Sequence, residues 1–196
     1  MKNYILTTLL SSILLVGCMS DNGSGYDGDD EEEEEEEIEE LSEFGELVQD
    51  KFAEGDFPHE CKVDFDNYDP KDFLTKKEFR LLELYMVFPG GYMEERYSAR
   101  NKITMDNGIT LLTVTSLDNE NELSTYLVTY DEEEWYIDNV RIGYDESAEG
   151  FLKIYSNVDG DTITRTTSIS FDGEEMLEVE HYYIQDDGKI IWEQDM

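Results

Sequence analysis

The sequence predicts an α+β protein in which two short N-terminal helices pack on one face of a meandering antiparallel β-sheet of about six to eight strands. Two observations carry this prediction. Before Gly91, two segments have apolar residues at helical spacing. After Gly91, the chain consists of runs rich in Thr, Ile, Val and Tyr that are separated by short turn sequences. Turns this short connect neighbouring antiparallel strands, so the predicted sheet is a meander.

The N-terminus has the organisation of an export signal. Lys2 precedes an uncharged stretch, residues 4–16, that is rich in Leu and Ile. This stretch is shorter than the ~20 residues that a membrane-spanning helix needs, and it suits the apolar core of a signal peptide. It leads into Leu15-Val16-Gly17-Cys18. The alternative is a buried helix in which the cysteine stands by chance.

These four residues resemble the lipobox of bacterial lipoproteins, in which a leucine, a tolerant position and a small residue precede the cysteine that carries lipid. The resemblance implies that residues 1–17 are a signal peptide and that the mature chain begins at a lipid-modified Cys18. It also implies a membrane as partner, through the lipid on that cysteine. It carries no information about the activity of the folded part.

Residues 18–37 are predicted to form an extended acidic tether. They include seven consecutive glutamates at 31–37 and almost nothing apolar, so they cannot form a core and their charges repel. An acidic stretch behind the lipid cysteine also resembles the export signals of small Bacteroidota surface lipoproteins. Here Asp21 is near the cysteine and the dense run starts at Asp29. The resemblance implies an outer-membrane lipoprotein at the cell surface, and the alternative is a spacer within the periplasm.

The overall charge restricts the partners. The formal net charge is −36, from 50 acidic and 14 basic residues. Such a field disfavours nucleic acid and anionic lipid surfaces, and it favours cationic partners. Of the two cysteines, the lipid would consume the thiol of Cys18, so Cys61 would have no partner for an internal disulfide.

The folded part is predicted as one domain, residues 38–196, whose first helix covers 38–54. Its apolar residues fall in one stripe at helical period, namely Ile38, Leu41, Phe44, Val48 and Phe52. The preceding glutamates would lie at the positive end of the helix dipole, and Gly55 would end the helix. This helix is predicted to lie on the core of its own domain; the alternative is a helix that binds the groove of a partner.

The second helix is predicted over 70–88, after a loop at 55–69. Asp69 would be its N-cap and Pro70 its first residue. The sequence Pro89-Gly90-Gly91 would end it. Its apolar face would consist of Leu74, Leu81, Leu84, Tyr85 and Phe88.

Strands are predicted from about residue 100 to 193. Their runs cover 103–105, 109–117, 123–130, 135–144, 151–157, 162–171, 176–185 and 189–192. In the sixth run, the odd positions from Ile163 to Phe171 include the apolar residues, and the even positions are Thr or Ser. This alternation predicts one buried and one solvent-facing side, with the two helices available to cover the buried side.

His59 and Cys61 are the first candidates for chemistry, with Asp56 and Glu60 nearby. A zinc site needs thiolate, imidazole and carboxylate groups that converge, and a Cys–His reaction centre is assembled in space and not by adjacency. Two such residues separated by a single residue are a weak signal. We therefore predict a loop with a buried cysteine.

Two acidic segments, 64–69 and 157–161, raise the question of calcium. An EF-hand loop needs Gly at its sixth position and Glu at its twelfth, and the first segment has Asp69 and Thr75 there. Helix capping and turn formation explain both segments more simply. Calcium binding of another type stays open.

The motif search does not nominate a catalytic residue. The chain contains no G-x-S-x-G, H-E-x-x-H or P-loop sequence. Paired carboxylates cannot be chosen among 50 acids, because their roles depend on separation in space. His181 shares a predicted strand face with Leu177, Val179 and Tyr183, which favours a core or edge histidine. We predict no catalytic residue, cofactor or metal.

The strands are also rich in aromatic residues, which fill a core and pair across strands. They are Tyr126, Tyr130, Trp135, Tyr136, Tyr144, Tyr155, Tyr182, Tyr183 and Trp192. The alternative is a rim of rings on the open sheet face, which would bind a sugar or a protein.

The predicted function is that of a lipid-anchored envelope protein that binds a protein or glycan without catalysis. This hypothesis requires a contiguous aromatic or apolar patch on the uncovered face of the sheet. One alternative is an inhibitor or protective factor that docks a basic protein through the acidic surface. The other is a hydrolase that acts on envelope or glycan substrates.

Overall fold

The computed structural model describes residues 41–65, 68, 73–94, 96–118, 121–147 and 151–195. The predicted signal peptide, Cys18, the predicted tether and the first residues of the predicted helix at 38–54 lie outside this part. All described residues belong to one unit of the chain, Glu39–Met196. Among them, no helix has both the length and the apolar character that crossing a membrane would require.

The first helix, α1, spans Glu43–Lys51. The hydroxyl of its N-cap, Ser42, accepts a hydrogen bond from the Gly45 N–H at 2.8 Å. At the other end the backbone becomes extended at Phe52, whose side chain is buried. The prediction of a helix over 38–54 was therefore too long, because the serine cap starts the helix later and the extended backbone stops it earlier.

The second helix, α2, spans Lys76–Leu81 and begins with a capping box. The Thr75 hydroxyl accepts from the Glu78 N–H, and the glutamate carboxylate accepts from the Thr75 N–H. The prediction of a helix over 70–88 was wrong at both ends. Successive turns replace the helix after Leu81, and Glu83 within them has a left-handed φ of 50°. Residues 70–72 lie outside the described part.

The sheet has ten strands, more than the six to eight predicted. Their bounds are β1 Ala53–Glu54, β2 His59–Lys62, β3 Tyr97–Thr104, β4 Thr110–Asp118, β5 Glu122–Tyr130, β6 Tyr136–Glu146, β7 Leu152–Asp159, β8 Thr162–Phe171, β9 Glu174–Ile184 and β10 Ile190–Trp192. From β3 to β10, each strand pairs antiparallel with the next, which confirms the predicted antiparallel meander. A short 3-10 helix, Glu193–Asp195, follows.

The two additional strands come from segments predicted as helix and loop. Strand β1 pairs parallel with β3, and β2 pairs antiparallel with β7. Both are too short to show alternation, so only their tertiary pairing identifies them as strands.

The sheet divides into two leaves between β6 and β7. These strands pair only at Tyr144–Ile154 and Asp145–Lys153, and β2 pairs with the rest of the β7 edge. We call β1 and β3–β6 the first leaf, and β2 and β7–β10 the second leaf. A hydrophobic cluster between them contains residues of both leaves, including Leu111, Leu127 and Ile163.

A second hydrophobic cluster lies on the opposite face of the first leaf. There Leu112 and Val128 pack with Phe44 and Val48 of α1 and with Phe79 of α2. The helical segment therefore covers the first leaf alone. We had expected the helices to cover the buried side of β8. That side packs against the first leaf instead, because the sheet folds back on itself.

Candidate functional site

A β-bulge in β3 lies beside a small cleft. The pairing of β3 with β4 shifts between Ala99 and Lys102, so Arg100 and Asn101 are the bulged residues. Both line a cleft of about 180 Å³ that also borders β2. A bulge re-aims side chains in this way, and bulges are frequent next to functional sites.

The contacts of Arg100 within the cleft are those of a structural arginine. Its Nε donates to the Thr115 hydroxyl at 3.2 Å, and its guanidinium carbon lies 5.2 Å from the ring centre of Tyr68. The Thr115 hydroxyl is 2.8 Å from that of Thr125, and both threonines are buried. These polar groups satisfy one another at the edge of an apolar interior.

Cys61 lies in β2, with its thiol buried against the first leaf. Gly143 lets the strand approach, since a Cβ there would lie 3.2 Å from the cysteine sulfur. Burial raises the pKa of the Cys61 thiol to about 12, and the hydrogen bond to Thr125 and the charge of Arg100 offset this only in part. Nucleophiles and metal ligands are thiolates, so this protonated thiol is suited to neither role near neutral pH.

His59, two residues before this cysteine, lines the same cleft. Burial lowers its pKa, so the imidazole is neutral at pH 7. Within the described ranges, no three His, Cys, Asp or Glu side chains come together as a metal site would require. His59 and Cys61 therefore line one cleft, but among the described residues no third metal ligand joins them.

The acidic segments occupy structural positions. In the first, the Phe65 N–H donates to the Asp145 carboxylate at 3.1 Å. That carboxylate is buried, and the Lys153 ammonium is 3.3 Å from its other oxygen. In the second segment, Asp159 ends β7. Asp161 lies in the turn that follows and accepts a hydrogen bond from the hydroxyl of Thr162, the first residue of β8. Residues 66, 67 and 69 lie outside the described part.

Two of the strand aromatics, Tyr130 and Tyr144, are buried, and Tyr126, Tyr136 and Tyr182 pack against a hydrophobic cluster while partly exposed. Tyr155, Tyr183 and Trp192 are half-buried. Tyr130 is fully buried and its hydroxyl donates to the Leu82 carbonyl at 2.6 Å. Phe88 packs on Tyr97 and Tyr126, with ring centres 4.8 and 5.1 Å apart. Trp135 is an exception, being 63% exposed in the β5–β6 loop.

Among the described residues, the largest set of exposed apolar side chains is at the end of the β8–β9 hairpin. Phe171, Met176, Leu177 and Val179 are 66%, 62%, 58% and 54% exposed. The base of the same hairpin is buried at Ile163 and Ile184. We call residues 166–179 the hairpin tip. Both faces of its β9 half meet solvent, since all residues from Glu174 to Val179 are exposed, whereas Ser168 on β8 is buried.

Strand alternation did not predict this exposure, because alternation does not tell how far the opposing layer extends. One signal was present in the sequence. Glu174, Glu175, Glu178 and Glu180 place acids on both faces of β9, which a half-buried strand would not tolerate.

The outer edge of β9 is open over the tip. Strand β10 pairs with β9 only at residues 182–184, and no other described strand pairs on that side. The Ile184 N–H donates to the Asp161 carbonyl across the hairpin. Because the hydrogen-bonding direction alternates along an antiparallel strand, the N–H and C=O groups of the odd-numbered residues point outward. These residues are Glu175, Leu177, Val179 and His181.

His181 lies on the solvent-facing side of the second leaf. Its Nδ1 is 3.3 Å from the hydroxyl of Thr164 on β8. On the same face, β8 presents threonines and serines from Thr162 to Ser170. The apolar surface of this leaf is therefore concentrated at the hairpin tip.

Comparisons with protein families, with curated proteins and with solved structures found no match to this chain. The candidate functional surface therefore rests on the geometry of the hairpin.

Proposed function

We propose that the protein is a lipid-anchored, outer-membrane binding module at the cell surface, and that it binds another protein through the hairpin tip without catalysis. The lipobox-like residues ending at Cys18 and the acidic stretch after them support the anchor and the location. The observation that carries the binding role is the cluster of Phe171, Met176, Leu177 and Val179 on a projecting hairpin. Phe171 and Met176 lie on one face of this hairpin and Leu177 and Val179 on the other, and exposed apolar side chains grouped in this way are typical of an interaction site.

Two features make a protein ligand the better fit. The exposed apolar side chains of the tip lie on both faces of a two-stranded hairpin, whereas sugar and small-molecule sites are concave. Its exposed apolar residues are also surrounded by acids, as in a protein interface with an apolar centre and a polar rim. These features support a macromolecular partner.

The test for binding is photo-crosslinking on intact cells. A photoreactive phenylalanine analogue at Phe171 is expected to give a discrete crosslinked product. The same analogue at Tyr85, which is also exposed but lies on the helical side, is the matched control and is expected to give none. In addition, Leu177→Ser with Val179→Thr should remove the product from position 171. A product that survives this double substitution, or appears equally from position 85, would contradict the role of the tip.

The test for the anchor is fractionation of Cys18→Ser, together with protease added to intact cells. The substitution is expected to release the protein from membranes, and protease is expected to remove the unmodified protein from the surface. Retention of the variant with the membranes would refute the lipid anchor. Full protection from protease would place the module in the periplasm.

A second candidate is an inhibitor or protective factor that docks a basic protein over its whole acidic surface. The net charge of −36 favours it. Binding of this kind would weaken steeply with salt and would be insensitive to the two tip substitutions. The crosslinking variants measured at low and high salt therefore distinguish the two candidates.

A further inference from the structure

The open edge of β9 carries an inference that goes beyond a binding role for the tip and rests on it. We propose that the partner adds a β-strand to residues 174–181, and that this strand is apolar on one face and basic on the other. The occupant is thus an extended segment of a partner protein. Strand addition of this type uses main-chain hydrogen bonds for affinity and alternate side chains for specificity.

The backbone supplies the first part of the argument. The N–H and C=O groups of Glu175, Leu177, Val179 and His181 point away from β8, and no described strand pairs with them. An open edge of this length accepts another strand unless something blocks it. Neither proline nor a bulge interrupts the pairing of β9 with β8, so the edge is regular.

The side chains define the chemistry of the added strand. Leu177 and Val179 lie on the outer face, so the residues opposite them would be apolar. Glu174 and Glu178 are exposed on the other face, together with Met176. Residues opposite the two glutamates would be Lys or Arg. Glu180 is less available, since Arg165 already binds its carboxylate.

The same charges argue against a second copy of this chain. The hairpin has five acidic residues and one basic residue between Thr162 and Ile184. Antiparallel self-pairing centred on Leu177 would place Glu174 opposite Glu180, and like charges directly opposite are destabilising. In this register the charges therefore disfavour a second copy, whereas a basic strand would place opposite charges beside the glutamates.

The experiment uses the full chain in mild detergent and two synthetic peptides of about seven residues, a typical strand length. One peptide alternates valine with lysine, and the control alternates valine with glutamate. The lysine peptide is expected to bind. In amide hydrogen exchange it should protect Leu177, Val179 and His181, whereas Met176 and Glu178 are already bonded to β8 and should change little. The glutamate peptide should do neither.

Val179→Pro tests the backbone bond directly. This substitution removes one outward N–H and keeps the bonds between β8 and β9, and proline is tolerated at such edge positions. The matched control Val179→Thr keeps the N–H and the branched shape. Val179→Pro is expected to weaken binding of the lysine peptide about tenfold or more, and Val179→Thr much less. The amide-exchange experiment uses the unmodified chain, so it tests strand addition even if Val179→Pro misfolds.

The outcomes separate this inference from the proposed function. If tip crosslinking depends on Leu177 and Val179 but no outward amide gains protection, strand addition is overturned and the binding role stands. Equal binding of both peptides, or equal loss in both Val179 variants, would also overturn it. If the edge binds the lysine peptide but crosslinking on cells does not depend on the tip residues, the proposed function fails instead. A dimer held by this edge would contradict the choice of occupant.

Discussion

Arg165 and Glu180 form an ion pair across β8 and β9, with the arginine Nε 2.9 Å from a carboxylate oxygen of the glutamate. The same guanidinium donates to the Arg141 carbonyl in β6 at 3.4 Å and lies 4.9 Å from the ring centre of Tyr182. The pair therefore connects the second leaf to the first. From this ion pair to the Asp172-Gly173 turn, the hairpin is largely exposed. In the opposite direction along β8, Ile163 is buried.

Glu180→Gln is expected to lower the free energy of unfolding by about 1–3 kcal/mol, because a mostly buried guanidinium loses its charged partner. Urea denaturation measures the change. Glu178→Gln is the matched control, since Glu178 has the same strand face but is exposed, and it should change stability by less than about 0.5 kcal/mol. Equal effects of the two substitutions would show that the ion pair does not hold the hairpin base.

The sequence allowed much of the meander to be predicted. Strand β8 was predicted with its observed bounds, because its Thr/Ile alternation is followed by the Asp172-Gly173 turn. The bounds of α2 were wrong for a local reason. The prediction started the helix at Asp69-Pro70, whereas the observed helix starts at the Thr75–Glu78 capping box, a signal that the prediction did not use.

The features that sequence reasoning missed depend on distant contacts. Strand β2 exists because β6 turns away from β7 and leaves an edge for residues 59–62. The exposure of Phe171 and Met176 depends on where the first leaf ends, because both lie on the face of the hairpin that is buried at Ile163, and no pattern within the hairpin encodes that position. His59 and Cys61 were predicted as neighbours in a loop; they lie in a strand, and burial explains the raised pKa of the thiol.

Tyr130→Phe tests the connection between the sheet and the segment after α2. The tyrosine hydroxyl is buried and donates to the Leu82 carbonyl, so its removal leaves that carbonyl without this donor. We expect a loss of about 1–3 kcal/mol in the free energy of unfolding. Tyr126→Phe is the control, because among the described residues its hydroxyl has no hydrogen-bond partner while its ring packs on Phe88. A neutral Tyr130→Phe with unchanged unfolding slope would contradict the assigned role of this bond.

Gly143→Ala tests the close approach of β2 to β6. A Cβ at this position would lie 3.2 Å from both the Cys61 sulfur and the Thr125 Cβ, and 3.3 Å from Val63. Overpacking of this kind costs about 1–3 kcal/mol, measured by thermal or urea unfolding. Gly90→Ala is the control, since nothing lies within 4 Å of a Cβ there, and it should be close to neutral. If Gly143→Ala is equally neutral, β2 is not packed against β6 as described.

The Cys61 thiol should make stability fall at alkaline pH. Its pKa is 9.0 as a free group and about 12 in the folded protein. Below pH 9 both states keep the proton, so the thiol adds no pH dependence. Between pH 9 and 12 the unfolded state releases the proton while the folded state retains it, so the free energy of unfolding falls by up to about 1.4 kcal/mol per pH unit from this group.

The measurement compares urea denaturation of Cys18→Ser with that of Cys18→Ser/Cys61→Ala from pH 8 to 11. The first protein keeps a single thiol, and the second keeps none. The buried tyrosines, whose pKa values are also raised by burial, contribute equally to both proteins and cancel in the difference. We expect the stability difference between the two proteins to change progressively above pH 9, because only the first has a thiol to titrate. Parallel curves over the whole range would show that the thiol is exposed to solvent, and Cys61 would then not be buried against the first leaf as described.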